Sequence, residues 1–262
     1  MNPQTHPFGN CWQLKSLALF HGLAMVLLAS WIFPGSHSLW LWMDEKIFFL
    51  LNGSLSSGES WQYFWAAMNV RISDVVPMLI ILISLTFPIL GIKQHQLHSA
   101  FIGFVLLIIL MWPIREALYE LAILLDLSGN SPSIQLQPAY LLSEIFPQLG
   151  TKDSSTHSFP GDHSAVLWTW SGFLVLMLRS RLALITVLIS VLFMLPRLVA
   201  GAHWFTDNFV GGLAVALVTL SWAFHTPLLQ KLTTLLCEYL TPFFYRLGKL
   251  IPGLNLLPFF RS

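Results

Sequence analysis

Two short stretches hold the groups that can do chemistry. In "SFPGDHSAVLWTW", which begins at Ser158, the residues Gly161, Asp162 and His163 stand directly before a long apolar run. In "RLVAGAHWFTDN", Arg197, His203 and Asp207 stand in a similar place. His203 and Asp207 are four residues apart. On a helix they would share a face, so the carboxylate can accept from one imidazole nitrogen and leave a lone pair on the other. An imidazole held that way is a nucleophile or a base. Arg197 offers a planar fork of donors suited to a phosphate. The "PGDH" at 160–163 opens a helix, where free backbone N–H groups and the helix dipole favour an anion. His163 is then placed to give or take a proton at that anion. Two histidines around an anion pocket, one of them carboxylate-bound, suggest phosphoryl transfer through a phosphohistidine.

Each residue also has a plainer role open to it. A histidine at a membrane edge can be an interfacial polar residue. Asp162 can be only the N-cap of its helix, and Asp207 can pair with Arg197 as a structural ion pair. A metal site built from His157, Asp162, His163, His203 and Asp207 is a further alternative, although no H-E-x-x-H zinc helix occurs. The joint pattern outweighs the single readings, because ionisable groups within apolar spans are costly and tend to be functional.

The elements that must position these residues are membrane helices. The chain is 55% hydrophobic and 10% charged, with a mean hydropathy of +0.70. A soluble domain carries about 25% charged residues, so the composition indicates an all-α, polytopic membrane protein. A net charge of +1 implies no nucleic-acid partner, and Cys11 and Cys237 alone make no disulfide framework.

Spanning the hydrocarbon core takes about 20 apolar residues. Six stretches qualify, at 15–33, 74–92, 99–119, 164–178, 182–200 and 204–224. The N-terminal stretch lacks a charge before Lys15 and a clear cleavage site, so it reads as a retained span. The segment 34–73 contains "LWLWMDEKIFFLLNGSL", which suits a helix lying in the interface, and 225–262 reads as a second amphipathic, surface-lying piece. The tryptophans at 40, 42, 204 and 222 suit belt anchors. The whole is one domain, 1–262, with a core at about 15–224.

The basic residues orient it. With the N-terminus in the cytoplasm, the inner face holds Lys15, Lys93, Arg179, Arg181, Lys231, Arg246, Lys249 and Arg261, out of 13 Lys and Arg, and only Glu238 of the 12 acids. The positive-inside rule selects that orientation. Both termini are then cytoplasmic, and His163, Arg197, His203 and Asp207 gather at the outer face.

At these residues the sequence resembles the type 2 phosphatidic acid phosphatase superfamily. Arg197, His203 and Asp207 form its third signature, R-x5-H-x3-D, and "PGDH" resembles its second, usually P-S-G-H. The resemblance implies a core of six membrane helices and a reaction that needs no metal. It implies His203 as nucleophile, Asp207 as its orienting group, His163 as general acid and Arg197 as phosphate holder. Ser158, Gly161 and Asp162, at the helix start that favours an anion, are expected to bind substrate. "TKDSSTHSFPGDHS", "PRLVAGAHWFTDNFVGG", "SWIFP" and the "LWLWMDEKIFFLLN" that follows it are closer still to one branch. Its members move a phosphate from undecaprenyl diphosphate to the 1-phosphate of lipid A, at the periplasmic face of the bacterial inner membrane. The family's first signature, K-x6-R-P, is absent, which leaves Lys152 and Arg115 as substrate-binding replacements. Two rivals share the membrane setting: a phosphatase acting on undecaprenyl diphosphate or another lipid phosphate, and a non-catalytic lipid-binding or transport protein.

Overall fold

The computed structural model describes residues 7–261, and every regular element among them is helical. In chain order the α-helices are α1 (Leu14–Ile32), α2 (Pro34–Gly53), α3 (Glu59–Met68), α4 (Val75–Thr86), α5 (Leu97–Leu124), α6 (Pro132–Gln135), α7 (Leu142–Ile145), α8 (Asp162–Leu178), α9 (Leu184–Val199), α10 (Leu213–His225) and α11 (Leu228–Leu250). Short 3-10 turns join several of them, and a π-helical turn, Asp207–Gly212, leads into α10.

Four helical stretches among the described residues are long and apolar enough to cross a membrane: Leu14–Ile32, Gln94–Leu124, Arg181–Val199 and Asp207–His225. A fifth passes only if Glu59–Met68 and Arg71–Thr86 are taken together across a bend of 57°. Two of the six expected spans are not among these four. The second, expected over 74–92, stops at Thr86 because Phe87 is extended ahead of Pro88. The fourth is α8, with 17 residues and so a rise of only about 26 Å.

α8 is the centre of the bundle. Trp170, Phe173 and Leu174 on it are fully buried, packed with Leu97 and Leu107 of α5 and with Ala216 and Leu220 of α10. Polar pins fix its neighbours. The Trp170 indole donates to Ser84 Oγ on α4 at 3.0 Å, and Ser190 Oγ on α9 donates to the Leu167 carbonyl at 3.0 Å. α1 lies along α10, where Ser221 Oγ donates to the Leu17 carbonyl at 3.2 Å.

α2 turns its faces the opposite way from a soluble helix. Asp44, Phe48 and Asn52 form its buried stripe, while Leu39, Leu41, Trp42 and Leu50 are exposed. The spacing i, i+4, i+8 puts the three buried residues on one side. Asp44 accepts from Thr206 N at 2.9 Å and Thr206 Oγ1 at 2.7 Å. Asn52 donates to the Val199 carbonyl at 3.0 Å and exchanges two hydrogen bonds with the Tyr140 backbone. Burial pushes the Asp44 carboxyl up to about 7 against the Thr206 donors that pull it down.

The C-terminal tail is helical, as its pattern suggests, but it also folds back on the bundle. His98 Nε2 donates to the Phe259 carbonyl at 2.6 Å, and Phe259 is buried among Phe101 and Phe244.

Candidate active site

α9 ends at Val199, and the chain turns at Gly201 with φ +77°. A Cβ there would lie 2.8 Å from Phe48 Cε2 and 2.9 Å from Ser133 Cβ, so both the left-handed conformation and the space demand glycine. His203 follows in this turn and not on a helix. The shared helical face expected for His203 and Asp207 is therefore not how they meet. Asp207 opens the π-helical turn, and its Oδ2 reaches back to accept from Trp204 N at 2.8 Å and from His203 Nδ1 at 3.2 Å. One carboxylate thus caps the element and orients the ring.

The Ser158 carbonyl also accepts from His203 Nδ1, at 3.1 Å. Two acceptors at Nδ1 put the hydrogen there and leave the lone pair on Nε2. That Nε2 is buried and has no hydrogen-bond partner among the described residues. π-turns cluster at functional sites, and this one brings two elements very close. A Cβ on Gly211 would lie 2.7 Å from both Phe159 Cε2 and Pro160 Cβ. Gly161 N donates to the Asp207 carbonyl at 3.0 Å, which ties the start of α8 to the His203 turn.

Gly161 is the N-cap of α8, and Asp162 is its first helical residue. The capping role considered for Asp162 therefore falls to its neighbour. Asp162 Oδ1 accepts from His163 N and Nδ1, each at 2.8 Å, and lies 3.8 Å from His203 Nε2. His163 Nε2 faces Asp74 Oδ2 at 3.2 Å. Arg197 is buried and donates from Nη2 to both Asp74 oxygens, at 3.2 and 3.0 Å. Its Nη1 donates to Asn69 Oδ1 at 2.9 Å, the Asn69 carbonyl at 3.3 Å and the Lys152 carbonyl at 3.4 Å. The ion-pair partner of Arg197 is thus Asp74 and not Asp207.

Two cavities flank this network. One, of about 300 Å³, is polar and is lined by Arg115, Lys152, His157, Ser158, Asp162 and His203 among others. The other, of about 390 Å³, is mainly apolar, with Met68, Met78, Ile81, Phe104, Trp112 and Phe193 in its wall. Asp74, Asp162, His163, Arg115 and Arg197 also line it. Arg115 and Asp162 belong to both. Arg115 Nη1 pairs with Glu116 at 3.0 Å, its Nη2 donates to the Pro160 carbonyl at 3.5 Å, and its guanidinium lies over the Tyr119 ring. Its Nε is buried with no partner among the described residues. Among the described residues, no three His, Cys, Asp or Glu side chains are grouped to hold a metal ion.

The structure brings His163, Arg197, His203, Asp207, Ser158, Gly161 and Asp162 to one end of the bundle, with Arg115 and Lys152 in the same cavity wall as His203. Sequence reasoning missed Asp74 and Asn69. Asp74 had a signal, an acid at the edge of an apolar run. Asn69 had none.

Residues 133–230, which include His163, Arg197, His203 and Asp207, match the model of the PAP2 superfamily. The chain is also 31% identical over 224 residues to lipid A 1-diphosphate synthase of Escherichia coli (strain K12), an alignment covering 84% of this chain and 92% of that protein. The chain belongs to the PAP2 superfamily. As a member it is a lipid phosphotransferase or phosphatase, and its apolar helices make it a multi-pass membrane protein. No solved structure matches the chain. Within this family setting, Asp74 and Arg115 are additions from outside the matched block, which begins at Ser133.

Proposed function

We propose that the protein moves a phosphate from undecaprenyl diphosphate to the 1-phosphate of lipid A, through a phosphohistidine on His203. The observation that carries this is His203 Nε2: a buried nitrogen with no hydrogen-bond partner among the described residues, on a residue that lines a polar cavity with Arg115 and Lys152. The lone pair attacks the terminal phosphorus of the donor as the bond to the bridging oxygen breaks. His163 gives its proton to the departing lipid monophosphate. Both of its ring nitrogens face carboxylate oxygens, so the ring donates from both and carries a proton to give. A phosphate oxygen of the acceptor then attacks the phosphohistidine, which leaves a diphosphate on the acceptor and a free lone pair on His203. The apolar cavity beside His163 and Arg197 suits the lipid chain, and the polar cavity suits the phosphates. The likeness to lipid A 1-diphosphate synthase supports the donor and acceptor named here. If the core has the six spans that the apolar stretches suggest, the distribution of basic residues supports a periplasmic site and cytoplasmic termini.

The test follows the label. Purified protein receives undecaprenyl diphosphate labelled in its terminal phosphate, with and without lipid A. Label on lipid A supports the proposal. Label appearing only as inorganic phosphate makes the enzyme a phosphatase, and label remaining on the donor removes both.

The grip on the phosphate gives a second expected outcome. A multiply charged phosphate at a low-dielectric site needs paired cations, and the family's first signature is absent. Lys152 and Arg115 line the cavity that His203 opens into. Lys152→Ala should lower kcat/KM about tenfold or more, the value of one hydrogen bond to a charged group. Lys152→Arg should be tolerated better than Lys152→Gln. Parent-like kinetics in both Lys152→Ala and Arg115→Ala would remove these residues from the grip.

The proposed chemistry draws its nucleophile, orienting carboxylate, proton donor and cations from side chains alone. Activity should therefore survive exhaustive chelation in detergent. Loss on chelation with recovery on adding zinc would contradict the scheme.

A further inference from the structure

We propose that Asp74 is a built-in competitor for the phosphate and so sets which anions the site accepts. The proposal deepens the function above and rests on reading Arg197 as the phosphate holder and His163 as the proton donor at the phosphate, where the two cavities meet at Asp162 and Arg115. In the free protein, the Asp74 carboxylate takes the place that a phosphate would fill. It accepts two contacts from Arg197 Nη2, at 3.2 and 3.0 Å, and one from His163 Nε2, at 3.2 Å. Two further nitrogens are committed as well. Arg197 Nη1 is held by Asn69 and by the Lys152 carbonyl, and His163 Nδ1 by Asp162. An incoming phosphate meets an occupied grip and two carboxylates of its own sign.

Asp74 is the member free to leave. Its side chain is 39% exposed, against 6% for Arg197. It ends the 3-10 turn Arg71–Asp74, which directly follows the break at 69–70 where the path from α3 to α4 bends by 57°. It also lines the apolar cavity in which a lipid chain would lie. The exchange is one anion for another, with no bond made or broken. A singly charged anion gains little by replacing a carboxylate on Arg197. A phosphate or diphosphate brings more charge and more acceptor oxygens to the same donors. The site is thereby biased toward highly charged lipid phosphates.

The experiment measures orthovanadate binding to the full-length protein in detergent by calorimetry. Asp74→Asn and Asp74→Ser remove the competing charge and should tighten the vanadate Kd about tenfold, the scale of one charge-assisted hydrogen bond. Asp74→Glu keeps the charge and should bind like the parent. A cooperative tryptophan-fluorescence melt shows which variants fold, and Asp74→Ser decides if Asp74→Asn does not. Unchanged or weaker binding in the neutral variants overturns the proposal, leaving Asp74 as a support for Arg197. Arg197→Lys should weaken binding, and if it does not, the anion lies elsewhere and the proposal falls. The phosphohistidine reading is tested separately by turnover of His203→Ala, so the two can fail independently.

Discussion

His203→Ala should lose at least about a thousandfold in turnover, as removal of a covalent nucleophile does elsewhere. Within reach of the polar cavity, the buried lone pair that Asp207 and the Ser158 carbonyl leave free is the one on this ring. The ring is buried, so the change is not free of structural cost. It removes the His203 contacts to Asp207 and to the Ser158 carbonyl, but Asp207 keeps the Trp204 N–H at 2.8 Å. Two lost contacts should cost about 1–3 kcal/mol, less than the usual stability of a folded domain. The measurement is single-turnover transfer of label, with a denaturing quench at alkaline pH that preserves a phosphohistidine. The parent should show labelled protein and the variant none. A variant that turns over at the parent rate would end the covalent mechanism.

His163→Ala should lose about a hundredfold to ten-thousandfold, the range for removing a general acid. The size of the loss should depend on the leaving group. A lipid monophosphate departs poorly without a proton, whereas an aryl phosphate departs without one. With p-nitrophenyl phosphate the variant should recover most of the first step. Labelled enzyme should then accumulate on His203, because the second step still needs proton handling. An equal loss with both donors would mean that His163 holds the phosphate and does not protonate it.

Much of the site was legible because its residues are costly where they stand. An arginine, two histidines and an aspartate at the edges of apolar runs are conspicuous in a chain with 10% charged residues. Their geometry was less legible. The four-residue spacing of His203 and Asp207 pointed to a real contact for the wrong reason. Gly201 keeps His203 off the helix, and the Asp207 carboxylate reaches it by capping the turn. Asp74 stood at the expected start of a span, yet its bond to Arg197 crosses 123 residues, and no local spacing encodes that distance. The end of α4 was missed because hydropathy continues past Thr86 while Pro88 forbids the helix. α2 was read as interfacial from its Trp pair and apolar face. That Asp44 points inward depends on Thr206, which lies far along the chain.

That inward stripe on α2 bears on how such enzymes can be recombined. The turn carrying His203 hangs between two anchors, Asn52 on the Val199 carbonyl and Asp44 on Thr206. Both anchors belong to a helix that lies wholly outside the family block at 133–230. A chimera that transplants the block alone would carry the signature residues into a scaffold without these tethers. The nucleophile would be present but loosely aimed. An exchangeable module therefore has to carry α2 with the block, and with them Asn69, Asp74 and Arg115, which hold Arg197 or line the cavity beside His203.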